Sequence, residues 1–210
     1  MSVHTIVLAA GEGSRMKSKK AKSLQRIGGT SMLHKICTTA GKISPKITLV
    51  VGFDQDSVIK EANEYNLEIS IAEQPKAIGT GDAVKCGLTQ VEKESKVLVL
   101  YGDVPLIQED TLRKLIETSD DSLSILTTVL DNPYGYGRVA KDDSGNALSI
   151  VEEKDATDVE REINEIFTGV LCGPKSLLDE GLSIINNNNA AGEYYLTDLI
   201  SIINEKGYKI

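Results

Sequence analysis

The chain has 210 residues, of which 40% are hydrophobic and 26% are charged, and its formal net charge is −8 at pH 7. A chain of this size and composition can bury a hydrophobic core, and its acidic balance argues against a nucleic acid or an anionic membrane as a partner. The spacing of the three cysteines, Cys37, Cys86 and Cys172, is not that of metal ligands. No apolar run is long enough to span a membrane, and the N-terminal segment does not have the pattern of a signal peptide. We therefore expect a cytoplasmic protein with free, buried thiols.

The first 130 residues alternate apolar, β-branched runs with segments of helical spacing. The predicted strands cover residues 5–10, 47–51, 67–72, 97–101 and 123–129. Predicted helices lie between them, one after a Ser31 N-cap and others with apolar faces within residues 58–62, 83–91 and 111–116. This alternation predicts an α/β fold with a doubly wound, mostly parallel, Rossmann-like sheet. Such sheets bind ligands at the carboxyl ends of their strands.

The pattern changes after about residue 130. Turn residues at 132–137 and 143–146 separate predicted strands at 138–141, 147–152 and 163–171, and predicted helices follow near 175–184 and 193–203. We expect this half to add antiparallel strands to the sheet and to shape a second pocket. Because no internal repeat or flexible linker is present, residues 1–210 are expected to form a single domain with two subregions, 1–130 and 131–210.

The loop after the first strand is the first segment with recognisable chemistry. Gly11 and Gly13 allow the backbone to approach a ligand and to turn N–H groups toward phosphate oxygens. Arg15 and Lys22 add positive charge beside them, although a solvated basic loop would have the same composition. The loop is not a P-loop, because no Gly-Lys-Ser/Thr follows. Nor is it the dinucleotide pattern, because Met16 stands where a third glycine is required.

Two further polar segments follow predicted strands on the same edge of the sheet. Asp103 could hold Mg²⁺ against a triphosphate, or it could simply cap its own turn. Gln74, with Gly79 and Thr80 a few residues later, could contact a nucleobase edge. The alternative for Thr80 is a structural role as the N-cap of the next helix.

These segments resemble the N-terminal uridylyltransferase domain of the bacterial bifunctional N-acetylglucosamine-1-phosphate uridylyltransferases, within the sugar nucleotidylyltransferase superfamily. The resemblance runs over nearly the whole chain and rests on these segments: LAAGEGSRMKSKKAK, AEQPKAIGTGDAV, LYGDVPL, PYGYGRV, IVEEKDATD, EIFTG and NNNNAAGEYYLTD. The first belongs to the wider superfamily, whereas LYGDVPL, EKDATD and GEYYLTD are narrower. Residues 1–130 would then be the nucleotide-binding half and residues 131–210 the sugar-binding half.

The resemblance implies a role for each matching residue. Catalytic roles fall to Arg15, Lys22 and Asp103, with Asp103 also binding Mg²⁺. The implied nucleotide-binding residues are Leu8, Ala9, Ala10, Gly11, Gly13, Ser14, Gln74, Gly79, Thr80, Tyr101 and Gly102, and the implied sugar-binding residues are Gly137, Glu152, Phe167, Tyr195 and Thr197. The nucleophile would be a sugar phosphate that is already an anion, so catalysis would consist of positioning and electrostatic stabilisation.

Several positions depart from the family pattern. Ala21 replaces a proline before Lys22, which we expect to loosen the loop, and Asp82 and Ala191 replace a histidine and a glutamine. Phe167 replaces an asparagine that contacts the sugar ring, and phenylalanine cannot form those hydrogen bonds. The family's second metal ligand and its C-terminal β-helix acetyltransferase domain would lie beyond the last residue, so neither is expected in this chain.

The expected reaction is transfer of a uridylyl group from UTP to N-acetylglucosamine-1-phosphate, giving UDP-N-acetylglucosamine, a cell wall precursor, and pyrophosphate. One alternative is a related nucleotidylyltransferase that uses another sugar-1-phosphate, which the change at Phe167 favours. The other is a nucleotide-binding module of low activity. We expect Mg²⁺ as the cofactor, UTP and a sugar-1-phosphate as the only partners, and a monomer or weak dimer.

Overall fold

The computed structural model describes residues 2–13 and 16–210 of the chain. The strands along these residues are β1 (Ser2–Leu8), β2 (Arg26–Ile27), β3 (Thr30–Ser31), β4 (Lys46–Val51), β5 (Ile69–Glu73), β6 (Ser95–Tyr101), β7 (Ser124–Val129), β8 (Arg138–Lys141), β9 (Ala147–Val151) and β10 (Glu165–Pro174). The α-helices are α1 (Met32–Gly41), α2 (Gln55–Ala62), α3 (Thr80–Leu88), α4 (Glu109–Glu117), α5 (Asp158–Arg161), α6 (Lys175–Leu182) and α7 (Asp198–Glu205).

Eight of these strands form one mixed sheet. Its order is β5-β4-β1-β6-β10-β8-β9, and β7 pairs with β10 outside this path. Strands β5, β4, β1 and β6 are parallel, whereas β10 runs antiparallel to β6, β7 and β8. The predicted α/β fold, with a parallel Rossmann-like part and an antiparallel addition, is therefore confirmed. The parallel strands place their carboxyl ends together at one edge of the sheet.

Helices cover both faces of the parallel strands. Ile6 of β1 packs in one apolar cluster with α3, α6 and α7, and its neighbour Val7 packs in a second cluster with α1, α2 and α4. Val99 and Leu100 of β6 divide between the same two clusters. Successive side chains of a strand point to opposite faces, so continuous apolar runs produce a sheet that is buried on both sides.

The last helix begins later than its sequence pattern predicts. The predicted helix covers residues 193–203, but α7 starts at Asp198. The preceding backbone is paired elsewhere, because the Tyr194 N–H donates to the Ile78 carbonyl and the Tyr194 carbonyl accepts from the Gly81 N–H, both at 2.8 Å. A segment whose backbone groups are used by a distant loop cannot also form a helical turn.

The other predicted elements are present, with ends that differ by a few residues. Ser31 is the N-cap of α1, and its Oγ accepts a hydrogen bond from the His34 N–H at 3.0 Å. The hairpin β2–β3 and the single-turn helix α5 were not predicted, although Gly28-Gly29 is a hairpin-type turn and Thr157 forms a capping box with Glu160. Within the described ranges, no helix is both long enough and apolar enough to cross a membrane.

Candidate functional site

A cavity of about 250 Å³ opens at the carboxyl ends of the parallel strands. It is surrounded by the ends of β1, β5 and β6 with the loops that follow them, by the first half of α3 and by Glu193 of the chain before α7. The lining residues are Leu8, Ala9, Ala10, Gly11, Gly13, Lys22, Ser23, Gln74, Ala77, Gly79, Thr80, Ala83, Tyr101, Gly102, Asp103 and Glu193. The location agrees with the general position of ligands in parallel α/β sheets.

The structure gathers the predicted nucleotide-binding residues around this one cavity. It is lined by Leu8, Ala9, Ala10, Gly11, Gly13, Gln74, Gly79, Thr80, Tyr101 and Gly102, together with Lys22 and Asp103. Ser14 and Arg15 lie outside the described residues. Three further lysines lie between Arg15 and Lys22 in the sequence, but none of them lines this cavity: Lys17, Lys19 and Lys20.

The cationic side of the cavity depends on close packing between Gly13 and Lys22. Gly13 has φ +66°, and a Cβ at this position would lie 2.6 Å from Lys22 Cβ, so only glycine allows this approach. The Lys22 ammonium forms an ion pair with the Asp103 carboxylate. This ion pair places one cation and one anion together at the wall of the cavity.

The loop that carries Lys22 is restrained by a hydrogen bond. Ala21 is fully buried, and its N–H donates to Asp54 Oδ2 at 3.1 Å. Asp54 itself adopts a left-handed conformation, with φ 52° and ψ 36°, at the start of α2. A proline at position 21 would lack this N–H. The hydrogen bond to Asp54 is therefore a restraint on this loop that a proline could not form, and it acts against the loosening expected from Ala21.

We expect Asp54→Gly to destabilise the protein by about 1–3 kcal/mol, because it leaves the buried Ala21 N–H without an acceptor. Glycine tolerates the left-handed conformation, so the variant removes only the carboxylate. Ala21 has φ −50° and ψ 142°, which proline accepts, so Ala21→Pro should recover most of that loss in the Asp54→Gly background. Urea unfolding of the wild type, both single variants and the double variant measures the coupling. Additive effects would contradict it, because uncoupled sites add.

Gln74 and Thr80 form the opposite side of the cavity. Gln74 Nε2 donates to the Gly79 carbonyl at 3.0 Å and to Asp82 Oδ2 at 2.9 Å. The N-cap of α3 is Gly79, not Thr80, so the structural alternative for Thr80 is wrong. Thr80 Oγ1 instead accepts from the Leu196 N–H at 3.1 Å and thereby joins the cavity to the chain before α7.

The predicted sugar-binding residues form a neighbouring group that does not line the main cavity. Thr197 Oγ1 donates to Glu152 Oε1 at 2.9 Å, and a Cβ at Gly137 would lie 3.7 Å from the Glu152 carboxyl carbon. Burial raises the pKa of Glu152, and the Asp198 carboxylate adds to this effect. Burial and the nearby Asp155 carboxylate raise the pKa of Tyr195 to about 12. Thr197 and Gly137 thus adjoin Glu152, and the Tyr195 phenol lies near the carboxylates of Asp155 and Glu152.

Phe167 belongs to the hydrophobic core at the edge of this group. Its side chain is 6% exposed and packs in the same cluster as Val139 and Ile150. Its backbone N–H donates to the Gly137 carbonyl at 3.0 Å. Phe167 therefore contributes apolar surface and a backbone contact, but no side-chain hydrogen bond, to this part of the protein.

Tyr101 connects the two groups. It lines the main cavity, and its ring would contact a Cβ at Gly169, two residues after Phe167. Removal of its hydroxyl from water raises the pKa of Tyr101, and the carboxylates of Glu152 and Asp103 act in the same direction. The phenol is therefore neutral, and it lies between the main cavity and the group around Glu152.

Asp103 is the residue that could hold a metal ion in this cavity. Mg²⁺ is commonly bound through one or two carboxylates together with substrate phosphates. Within residues 2–13 and 16–210, no group of three or more His, Cys, Asp or Glu side chains could hold a metal by itself. The donor set fits a metal ion that is shared with a phosphate ligand, and it does not fit a closed site built by the protein alone.

Four residues of the cavity lining were not predicted from the sequence. Ser23, Ala77 and Ala83 are close in sequence to predicted residues, so a wider window around each motif would have included them. The buried Ser23 Oγ has no hydrogen-bond partner in the described part of the chain, which leaves it available to a ligand. Glu193 had no local signal, because the pairing of Tyr194 with Ile78 brings it to the cavity.

Comparison with protein families gives a match to the MobA-like NTP transferase domain over residues 5–156. The bifunctional protein GlmU of Francisella philomiragia is 45% identical over 203 residues, which cover 96% of this chain and 44% of that protein. The bifunctional protein GlmU of Neisseria meningitidis is 42% identical over 210 residues, covering 100% of this chain and 45% of that protein. This chain thus spans less than half of the length of these relatives.

A solved structure has the same fold. It is a Bacillus anthracis crystal structure, described as a candidate glucose-1-phosphate thymidylyltransferase in complex with sucrose. The TM-score is 0.77 at 17% identity, and the match covers 99% of this chain and 85% of that chain. At this identity the similarity concerns the fold alone.

Proposed function

Because this chain belongs to the family of MobA-like NTP transferase domains, we propose that it transfers a uridylyl group from UTP to N-acetylglucosamine-1-phosphate. The products are UDP-N-acetylglucosamine and pyrophosphate. The observation that carries the proposal is the convergence of Gly11, Gly13, Lys22, Gln74 and Asp103 on one cavity at the carboxyl ends of the parallel strands. The similarity to bifunctional GlmU proteins over the full chain supports the choice of substrates.

The cavity residues divide into two chemical roles. Lys22 carries the positive charge that neutralises a phosphate, and the glycine loop brings backbone N–H groups close to it. We propose the same charge-neutralising role for Arg15 and a phosphate contact for Ser14, on the basis of the motif. Gln74 and Gly79 contact the base at the far end of the cavity. The enzyme thus holds the α-phosphate in line with the attacking oxygen of the sugar phosphate.

We propose that the reaction depends on Mg²⁺, with Asp103 as the protein ligand. When bound, the ion would neutralise charge on the triphosphate and on the leaving pyrophosphate. The Asp103 carboxylate, which pairs with Lys22 in the free protein, would hold the ion, and the Lys22 ammonium would turn to the nucleotide. Lys22 then contacts phosphate oxygens. The attacking phosphate oxygen is already anionic at neutral pH, and no side chain has to act as a general base.

We propose that Gly137, Glu152, Phe167, Tyr195 and Thr197 form the pocket for the sugar phosphate. Glu152 can accept a hydrogen bond from a sugar hydroxyl or amide, and Thr197 orients it through the bond to Oε1. Phe167 supplies an apolar wall and favours sugars that need no side-chain hydrogen bond at that position. A related transferase with another hexose-1-phosphate is therefore the second candidate function.

A cytoplasmic location agrees with the three free cysteines.

A pyrophosphate-release assay over a panel of substrates tests this proposal. The donors are UTP, CTP, ATP, GTP and dTTP, and the acceptors are N-acetylglucosamine-1-phosphate and the 1-phosphates of glucose, galactose and mannose. We expect UTP with N-acetylglucosamine-1-phosphate to give the highest kcat/KM, and chelation of Mg²⁺ to abolish the signal.

A higher kcat/KM with another hexose-1-phosphate would select the second candidate function and would assign the difference to the Phe167 wall. A protein that binds UTP, by calorimetry, but releases no pyrophosphate with any acceptor would refute both candidate reactions. That outcome would leave a nucleotide-binding module of low activity.

A further inference from the structure

Two hydrogen-bond acceptors fix the orientation of the Gln74 side-chain amide. Its Nε2 lies 3.0 Å from the Gly79 carbonyl oxygen and 2.9 Å from Asp82 Oδ2. A backbone carbonyl and a carboxylate can only accept hydrogen bonds, so the amide must turn its two N–H groups toward them. The side chain is 5% exposed and lines the cavity, which leaves Oε1 as the group that can still bind a ligand.

The second of these acceptors is independent of the cavity. Asp82 lies in the first turn of α3, and it is not among the residues that line the cavity. A carboxylate is favoured near the N-terminus of a helix, where backbone N–H groups are unpaired, so this position suits a side chain that accepts the hydrogen bond from Gln74. Asp82 therefore acts on the cavity through Gln74 and does not contact a bound nucleotide.

We propose that Asp82 is a positioning residue that makes the cavity selective for pyrimidines with an N–H at ring position 3. The proposal rests on the proposed uridylyl transfer and assigns its base selectivity to the Asp82–Gln74 pair. With Nε2 committed to Asp82 and Gly79, Gln74 presents a carbonyl oxygen to the base.

The chemistry of the two pyrimidines explains the selectivity. Uracil has an N–H at position 3, which donates to Gln74 Oε1. Cytosine has an unprotonated nitrogen at the same position, which would face that oxygen lone pair to lone pair. To accept cytosine, the Gln74 amide would have to rotate, and its oxygen would then face the Asp82 carboxylate and the Gly79 carbonyl. The Asp82 charge makes this rotation more unfavourable than the Gly79 carbonyl alone would.

Nucleotide binding to the Asp82→Asn variant tests the proposal without relying on turnover. Asparagine has the same size, and it can donate to Gln74 Oε1 as well as accept from Nε2, so it permits both amide orientations. The Kd values for UTP, CTP and dTTP are measured by calorimetry for wild type and variant. We expect the preference for UTP over CTP to fall by about tenfold, the size of one charged hydrogen bond.

The preference for UTP over dTTP is the internal control. Uracil and thymine present the same N–H and carbonyl groups, so this ratio should not change in Asp82→Asn. A general distortion of the cavity would alter both ratios. Asp110→Asn is the matched variant, because Asp110 lies in the first turn of α4 and is exposed, and it should leave both ratios unchanged.

The outcomes separate this inference from the proposed function. Wild-type selectivity for UTP over CTP that survives in Asp82→Asn and in Asp82→Ala would overturn the role of Asp82 alone. A wild-type protein that binds UTP and CTP equally would overturn it together with the proposed uridine specificity. Urea unfolding of each variant identifies any change in Kd that follows from lost stability.

Discussion

Asp103→Asn is expected to lower kcat for pyrophosphate release by about 10²–10³-fold, because it replaces the carboxylate that we propose as the metal ligand by a neutral amide, which binds Mg²⁺ more weakly. The Lys22–Asp103 ion pair is partly exposed, with side-chain exposures of 36% and 25%, and such pairs contribute roughly 0–1 kcal/mol to stability. The variant should therefore remain folded, and its loss of activity should be accompanied by a higher Mg²⁺ requirement.

UTP binding in the absence of Mg²⁺ provides a second measurement on the same variant. Asp103→Asn removes one negative charge beside the phosphates and releases Lys22. Without Mg²⁺, the variant should therefore bind UTP as tightly as the wild type or more tightly. Asp121→Asn is the control, because Asp121 is exposed in the loop before β7. An Asp103→Asn enzyme with wild-type kcat and an unchanged Mg²⁺ requirement would refute the assignment of Asp103 as the metal ligand.

Gly79→Ala is expected to destabilise the protein by at least about 3 kcal/mol and to abolish measurable UTP binding. Gly79 has φ 131° and ψ 163°, a region that glycine alone occupies readily. An added Cβ would lie 2.5 Å from the Tyr194 backbone nitrogen and closer still to its carbonyl oxygen. The pairing of Ile78 and Gly81 with Tyr194 would have to open, and this would displace Glu193 and the Thr80 hydroxyl.

Gly145→Ala is the matched control for this prediction. Gly145 also has a positive φ, +85°, but a Cβ there would meet nothing within 4 Å. We expect this variant to lose only about 1–2 kcal/mol, the strain of the left-handed conformation itself. Urea unfolding and UTP calorimetry compare the two variants. Equal losses for both would contradict the role of the contact with Tyr194.

Much of the nucleotide cavity could be predicted because its residues follow the ends of strands. Gly11, Gln74 and Asp103 each lie directly after an apolar run, and parallel strands bring such positions to one edge whatever the rest of the chain does. The sheet order could not be read in this way. In particular, β10 divides its length among β6, β7 and β8, and this pairing depends on which edges remain free after the parallel strands have packed.

The restraints within the site were equally absent from local patterns. Asp54 accepts from the Ala21 N–H and Asp82 accepts from Gln74, and no local pattern predicts either hydrogen bond. The sequence pattern did indicate helical residues before Asp198, but the backbone of Tyr194 pairs with the loop at Ile78 instead. The partners of Asp54 and Tyr194 are distant in sequence, and Gln74 and Asp82, although only eight residues apart, lie on different elements, so tertiary contacts select all three pairs.

The α/β class, the parallel strands, the glycine loop and the charged residues at the sheet edge can be predicted from the sequence. These follow from the period of apolar residues and from local backbone preferences, which act over a few residues. The ion pair of Lys22 with Asp103, the hydrogen bond of Gln74 with Asp82 and the burial of Phe167 in the core are visible in the folded chain alone. Hydrogen bonds, ion pairs and burial depend on which groups become neighbours after folding, and a local pattern does not contain that information.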